Sequence, residues 1–352
     1  MGDRFPKVKA AAVHAASPFL DREAGVEKTC ALIEQAAAEG AELIVFPETF
    51  IPGYPVWIWT HTPSMGSSFF FRLFANSIEV PSAATDRIGA AARKAGAWVV
   101  VGISERDGGT LYNTLLYFDA SGRIVGKHRK LVPTCVERTV WGRGDGSSLR
   151  LIDSPFGKIG GLICWEHSMD LARYALSSQG EQIHIAAWPA GSAISHDPSS
   201  GVFDDLTEAA ARHHAAAGQC FVINVQSCID AETIRDLGFE GRPEMVREGG
   251  GWSAIIAPTG QILAGPNRDK ETILYAELDL SLIAHFKYVS DAAGHYSRPD
   301  VLQLLINFEP QTNMVARSAD AVRAPEPYQA NETNGPAAPH EASLPSDIST
   351  PS

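Results

Sequence analysis

The chain has no run of 18 apolar residues, no Cys-x-x-Cys pair, no Lys- or Arg-rich block and no His-Glu-x-x-His pattern among its eleven histidines. Each absence excludes something. Without a long apolar run, no segment reads as a membrane span. The opening Met1-Gly2-Asp3-Arg4-Phe5-Pro6 lacks the apolar region of a signal peptide, and position 6 is neither Ser nor Thr, so neither secretion nor N-myristoylation is expected. The five cysteines, Cys30, Cys135, Cys164, Cys220 and Cys228, are odd in number and widely spaced. They suit a reducing, cytoplasmic setting rather than a disulfide framework, and they leave room for one reactive thiol. Lys plus Arg total 29 against 41 Asp plus Glu, a net charge of −12. Such a chain is a poor partner for nucleic acid or an anionic membrane, and the charge reads as solubility. No histidine spacing suggests a metal ligand set, and His213-His214 reads as the solvated face of an Ala-rich helix.

What is present is globular. The 352 residues are 45% hydrophobic and 20% charged, enough for two ordinary domains or one large one. Val8 to Ala16 reads as a strand, Glu23 to Glu39 as a helix stopped by Gly40, and Glu42 to Phe46 as a buried strand. Ser82 to Ala95 is helical and Ala97 to Ile103 a strand. Leu111 to Asp119 pairs with Arg123 to His128 across Ala120-Ser121-Gly122. A second hairpin joins Leu149 to Asp153 with Ile159 to Ile163. Further strands are expected at Ile183 to Trp188, Cys220 to Gln226 and Ser253 to Ala257, with helices at about Met169 to Ser178 and Phe203 to Ala217. Ile262-Leu263 and Ile273 to Leu278 form a last pair, before a short helix at Leu280 to Phe286. The mixture predicts α/β architecture, with a mixed sheet or two sheets covered by helices. Ile51 to Phe74 carries Pro52, Gly53, Pro55 and Pro63 among many aromatics and reads as an ordered loop, a pocket wall or an oligomer contact. From about Ser318 the Pro-rich composition predicts disorder.

Three apolar strands end in a chemically capable side chain. Leu43 to Pro47 delivers Glu48, Arg123 to His128 delivers Arg129-Lys130, and Ile159 to Ile163 delivers Cys164. Sites in α/β proteins gather where strand ends open into loops. A carboxylate can take a thiol's proton, and an ammonium favours the thiolate and steadies negative charge on an attacked group.

The surrounding residues are more specific. Phe46-Pro47-Glu48, His128-Arg129-Lys130-Leu131-Val132-Pro133-Thr134 and Leu162-Ile163-Cys164-Trp165-Glu166-His167, in this order and spacing, resemble the nitrilase superfamily of carbon–nitrogen hydrolases. The likeness runs from about Val8 to Leu305 and takes in Pro52-Gly53-Tyr54-Pro55, Tyr112-Asn113-Thr114 and Gly294-His295-Tyr296-Ser297-Arg298-Pro299-Asp300. It implies a single-domain four-layer αββα sandwich over residues 1–305, followed by a C-terminal extension at 306–352. It implies a catalytic Glu48, Lys130 and Cys164, with Glu137 placing the lysine. Cys164-Trp165-Glu166-His167 and the run around His295 look like true nitrilases rather than amidases or carbamoylases. His128 departs from the arginine common there.

The activity so implied is hydrolysis of an organic nitrile to acid and ammonia, using water and no metal or cofactor. Tyr54, Trp165 and Trp188 follow strand ends and suit an aryl or arylacetyl substrate, with His295 as a further pocket residue. The alternatives are an amidase of the same superfamily, a cyanide-acting enzyme, or a catalytically silent assembly protein. The resemblance also implies a homo-oligomer, dimer-based and able to extend into a spiral, with Trp57 to Phe74 and Asp230 to Glu248 as candidate contacts.

Overall fold

In the first segment Val8, Ala10 and Ala12 alternate with Ala11 and Val13, and both sets are buried. A strand apolar on both faces must lie inside a layered structure rather than at its surface. The computed structural model, which describes residues 5–194 and 201–312, shows that layering. The tail expected to be disordered from about Ser318 lies outside the described residues.

The strands are β1 (Lys7–His14), β2 (Leu43–Val45), β3 (Trp98–Asp107), β4 (Thr110–Phe118), β5 (Ile124–Arg129), β6 (Ile152–Ser154), β7 (Gly157–Ile163), β8 (Ile183–Trp188), β9 (Phe221–Gln226), β10 (Ser253–Ile256), β11 (Ile262–Asn267) and β12 (Thr272–Asp279). They form two six-stranded sheets, ordered β12-β1-β2-β3-β4-β5 and β11-β10-β9-β8-β7-β6. Their inner faces meet in one core, where Val8, Ala10, Val45, Val100 and Leu115 join Ile159, Ile163, Ile185 and Ile223. The helices are α1 (Arg22–Ala38), α2 (Trp57–Thr60), α3 (Pro63–Asn76), α4 (Ala83–Ala95), α5 (Asp170–Ser178), α6 (Phe203–Gly218), α7 (Ala231–Asp236) and α8 (Ser281–Lys287). Val26 and Ile33 of α1 and Ile88 and Ala92 of α4 cover the outer face of the first sheet. Ala172, Ala175 and Leu176 of α5 cover Leu162 on the second. The result is the αββα sandwich. The compact unit runs to Gln311, and its last stretch is fastened by the Gln311 N–H, which donates to Asp145 Oδ2 at 2.8 Å.

Three expectations change. Ile51 to Phe74 is no loop: it carries α2 and the 14-residue α3, which begins at Pro63. A proline in the first helical turn lacks only an N–H that would be unpaired there anyway, so it starts the helix rather than breaking it. The last two strands do not pair with each other. β11 closes the second sheet against β10, while β12 crosses to the first sheet and runs antiparallel to β1 from Lys7↔Asp279 to His14↔Thr272. The second hairpin is shorter than expected, with β6 reduced to Ile152–Ser154.

Candidate active site

The parallel strands β2 and β7 belong to different sheets, and their C-terminal ends deliver Glu48 and Cys164. Gly102 on β3 makes the approach feasible, because a Cβ there would come within 2.8 Å of Glu48 Cα. Cys164 opens a tight 3-10 turn, Cys164–Ser168, with φ at +53°. Non-glycine residues rarely adopt that region, and strain of this kind needs support from the surroundings. Lys130 follows β5, and its backbone N–H donates to the Asn113 carbonyl on β4 at 2.8 Å.

These elements converge. Lys130 Nζ donates to Glu48 Oε1 at 3.0 Å and to Glu137 Oε2 at 2.7 Å, and all three side chains are at most 1% exposed. Carboxylate oxygens of Glu48 and Glu137 and the Cys164 Sγ lie within 4.8 Å of one another. Asn113 Nδ2 donates to the same Glu48 Oε1 at 2.5 Å. Glu48 Oε2, also buried, makes no hydrogen bond. One carboxylate oxygen is thus clamped and the other is free to exchange a proton.

Burial pushes the Glu48 carboxyl up, against the pull of Lys130, to about 7. That value suits a group that must take and return protons near neutral pH. Burial also raises the Cys164 thiol well above its ordinary value, with Lys130 and the Trp165 N–H opposing. The resting site therefore holds a protonated thiol beside a base. Lys130 stays charged: burial disfavours the ammonium, but the charges of Glu137, Glu48 and Cys164 outweigh it.

The predicted residues divide by position. Glu48, Lys130, Cys164 and Glu137 form one buried cluster. Glu137 is held by Lys130, by the Thr134 N–H at 2.7 Å and by the Tyr54 hydroxyl at 2.8 Å. Tyr54 accepts from Trp59 Nε1 at 2.9 Å and lines a recess with Glu48, Val56, Ala190 and Ile194. Trp165 is half-buried and meets Trp188 edge to face at 6.2 Å. Trp188 is 1% exposed and stacks on His167 at 4.8 Å. The structure does not bring His295 into this group: it is exposed, with Nε2 paired to the Lys287 carbonyl at 2.8 Å. His214 is not on a solvated face; it is buried against Glu181, and only His213 is exposed.

Two residues that the sequence motifs contain, Asn113 and Glu166, make contacts that the sequence does not foretell. Asn113 clamps Glu48. Glu166 accepts from the Leu131 N–H at 2.8 Å, the Ile163 N–H at 2.7 Å and His128 Nε2 at 3.0 Å. It therefore ties the residue after Lys130 to the residue before Cys164. Its signal in the sequence was its place in the Cys164-Trp165-Glu166-His167 motif.

The family model described as Carbon-nitrogen hydrolase matches residues 9–288. Among curated relatives, a nitrilase of Pseudomonas syringae pv. syringae is 44% identical over 86% of this chain and 90% of its own length. An aliphatic nitrilase of Rhodococcus rhodochrous is 45% identical over 85% and 82%. An arylacetone-specific nitrilase of Alcaligenes faecalis is 41% identical over 91% of each. A carbon-nitrogen hydrolase structure from Helicobacter pylori shares the fold, with TM-score 0.63 and 23% identity over 80% of this chain and 92% of that one. The chain belongs to the carbon–nitrogen hydrolases, in their nitrilase branch.

Proposed function

We propose that this enzyme hydrolyses an organic nitrile to the carboxylic acid and ammonia, with Cys164 as nucleophile, Glu48 as proton carrier, Lys130 as the charge-stabilising cation and Glu137 as its positioning partner. The observation that carries the reading is the free Glu48 Oε2 within one buried cluster that also holds Lys130 and the Cys164 thiol.

Glu48 takes the thiol proton as sulfur attacks the nitrile carbon, then gives that proton to the nitrile nitrogen, leaving a covalent thioimidate. Lys130 and the Trp165 N–H steady the charge that develops on nitrogen. A first water, deprotonated by Glu48, adds to the thioimidate, and the returned proton lets ammonia leave. A second water cleaves the thioester and releases the acid with the free thiol.

The aromatic side chains Tyr54, Trp165 and Trp188 support an aryl or arylacetyl substrate. We place the catalytic domain at residues 1–305, the C-terminal extension at 306–352 and the enzyme in the cytoplasm as a homo-oligomer built from dimers. Five free cysteines support that compartment, and among the described residues no helix is long and apolar enough to cross a membrane. The exposed Met65 and Phe71 of α3 support a contact face.

The test is an assay of aliphatic, aryl and arylacetyl nitriles beside their amides, with acid and ammonia both measured. Faster release of ammonia from the amides than from the nitriles would overturn the reading. Light scattering over a range of concentrations tests assembly, and a monomer throughout would contradict it.

A further inference from the structure

A second chain of buried polar groups starts at the backbone of Cys164. His167 Nδ1 lies 2.7 Å from the Cys164 carbonyl oxygen, and His167 Nε2 lies 2.9 Å from His184 Nε2. His184 Nδ1 lies 2.7 Å from Glu181 Oε1, and His214 Nε2 lies 2.9 Å from Glu181 Oε2. All four side chains are at most 2% exposed.

Counting hydrogens fixes the protonation pattern. A carbonyl oxygen only accepts, so His167 carries its proton on Nδ1. In a neutral ring Nε2 is then an acceptor, and the proton between the two rings belongs to His184. His184 Nδ1 faces the Glu181 carboxylate, which also takes a hydrogen bond from His214. Burial first, then the neighbouring His184, keeps His167 neutral well below the ordinary imidazole range. Burial keeps His214 down at about 4, so it too is neutral and donates one N–H. Glu181 is held at about 2 by its two histidine partners in spite of burial.

The far end of this chain acts on the reacting group. The Cys164–Trp165 peptide is planar, so its C=O and N–H point in opposite directions. Holding the carbonyl holds the N–H, and the Trp165 N–H favours the Cys164 thiolate against burial. The +53° φ of Cys164 is a conformation the chain would otherwise leave. We propose that Glu181, His184 and His167 form a positioning relay that locks the Cys164–Trp165 peptide so that the Trp165 N–H faces the nitrogen of the bound nitrile. This rests on the nitrile-hydrolysing reading above. Glu181 and His184 fix the tautomer of His167, as outer partners fix a metal-bound or catalytic imidazole.

The experiment has two arms on the full chain. Long-range proton–nitrogen correlation spectra of protein labelled with nitrogen-15 in histidine should show His167 protonated on Nδ1 alone. His167 protonated on Nε2 would overturn the relay. In the kinetic arm, His167→Leu should lower kcat about 10- to 100-fold, part of what loss of one such donor costs, with KM changed less than about twofold. His167→Asn, whose side-chain amide N–H takes the place of Nδ1–H, should recover most of that loss. Equal losses in the two variants, each shown folded by its thermal melt, would overturn the proposal. A wild-type protein inert to nitriles would defeat the earlier reading instead, and the spectra would still decide the relay.

Discussion

Lys130 Nζ lies 3.0 Å from Glu48 Oε1, and neither side chain has measurable exposure. An ammonium so placed is held by two carboxylates, because Glu137 Oε2 stands 2.7 Å away on the same nitrogen. Removing it leaves two buried carboxylates facing one another, and one of them must then keep a proton. Lys130→Met should therefore lower kcat/KM at least about 10²–10³-fold and destabilise the fold by about 3–5 kcal/mol. Steady-state kinetics and chemical denaturation read the two effects. Turnover close to wild type would remove Lys130 from the mechanism.

The Glu48 carboxyl, at about 7, makes a directional claim. Only its ionised form accepts the thiol proton, so kcat/KM should rise with pH through an apparent pKa near that value. Glu137 contributes to the upward shift through its negative charge. Glu137→Gln should move this limb to lower pH, besides reducing the rate by loosening Lys130. A limb that stays in place or moves upward would show that the observed titration belongs to another group.

Cys164 is 2% exposed and small, so truncation leaves only a minor void. Cys164→Ala should abolish nitrile turnover and leave the thermal melt within a few degrees of wild type, since one lost sulfur atom is comparable to a small core deletion. Retained hydrolysis would sink the covalent mechanism. Glu48→Gln should be nearly as damaging, because its amide cannot accept the thiol proton.

The strand-end triad was readable because Leu43 to Phe46 and Ile159 to Ile163 are apolar runs whose ends are marked by Glu48 and Cys164. The supporting groups were not readable in the same way. Asn113 reaches Glu48 from a residue 65 positions away, and no local pattern encodes that meeting. His184 gave a weak signal, as a histidine between Ile183 and Ile185 in a fully buried strand, where an unpaired imidazole would be costly. Two errors have physical causes. Pro63 stands at the start of α3, where a proline does not break a helix, so counting prolines in this segment hides the helix. Strands β11 and β12 are near in sequence and so read as a hairpin, whereas the vacant edge of β1 takes β12 into the other sheet.

The last prediction concerns His128, which stands where arginine is common in the branch that the surrounding motif resembles. Burial disfavours its charge, but the Glu166 carboxylate at 3.0 Å raises it above the ordinary 6.5. Glu166 is lowered from its ordinary 4.5: burial opposes the shift, and His128 with the Leu131 and Ile163 N–H groups prevails. A raised histidine contributes stability that is whole below 6.5 and fades as pH rises through its folded value. A lowered carboxyl contributes stability that is present above 4.5 and fades as pH falls. The pair is therefore strongest between those two values. His128→Gln should cost about 1.5–3 kcal/mol in that window, as expected for a buried hydrogen bond to a charged group. The gap from wild type should narrow above it. Denaturation of both proteins across a pH series reads the difference directly, and a gap independent of pH would mean that His128 is neutral in the folded enzyme.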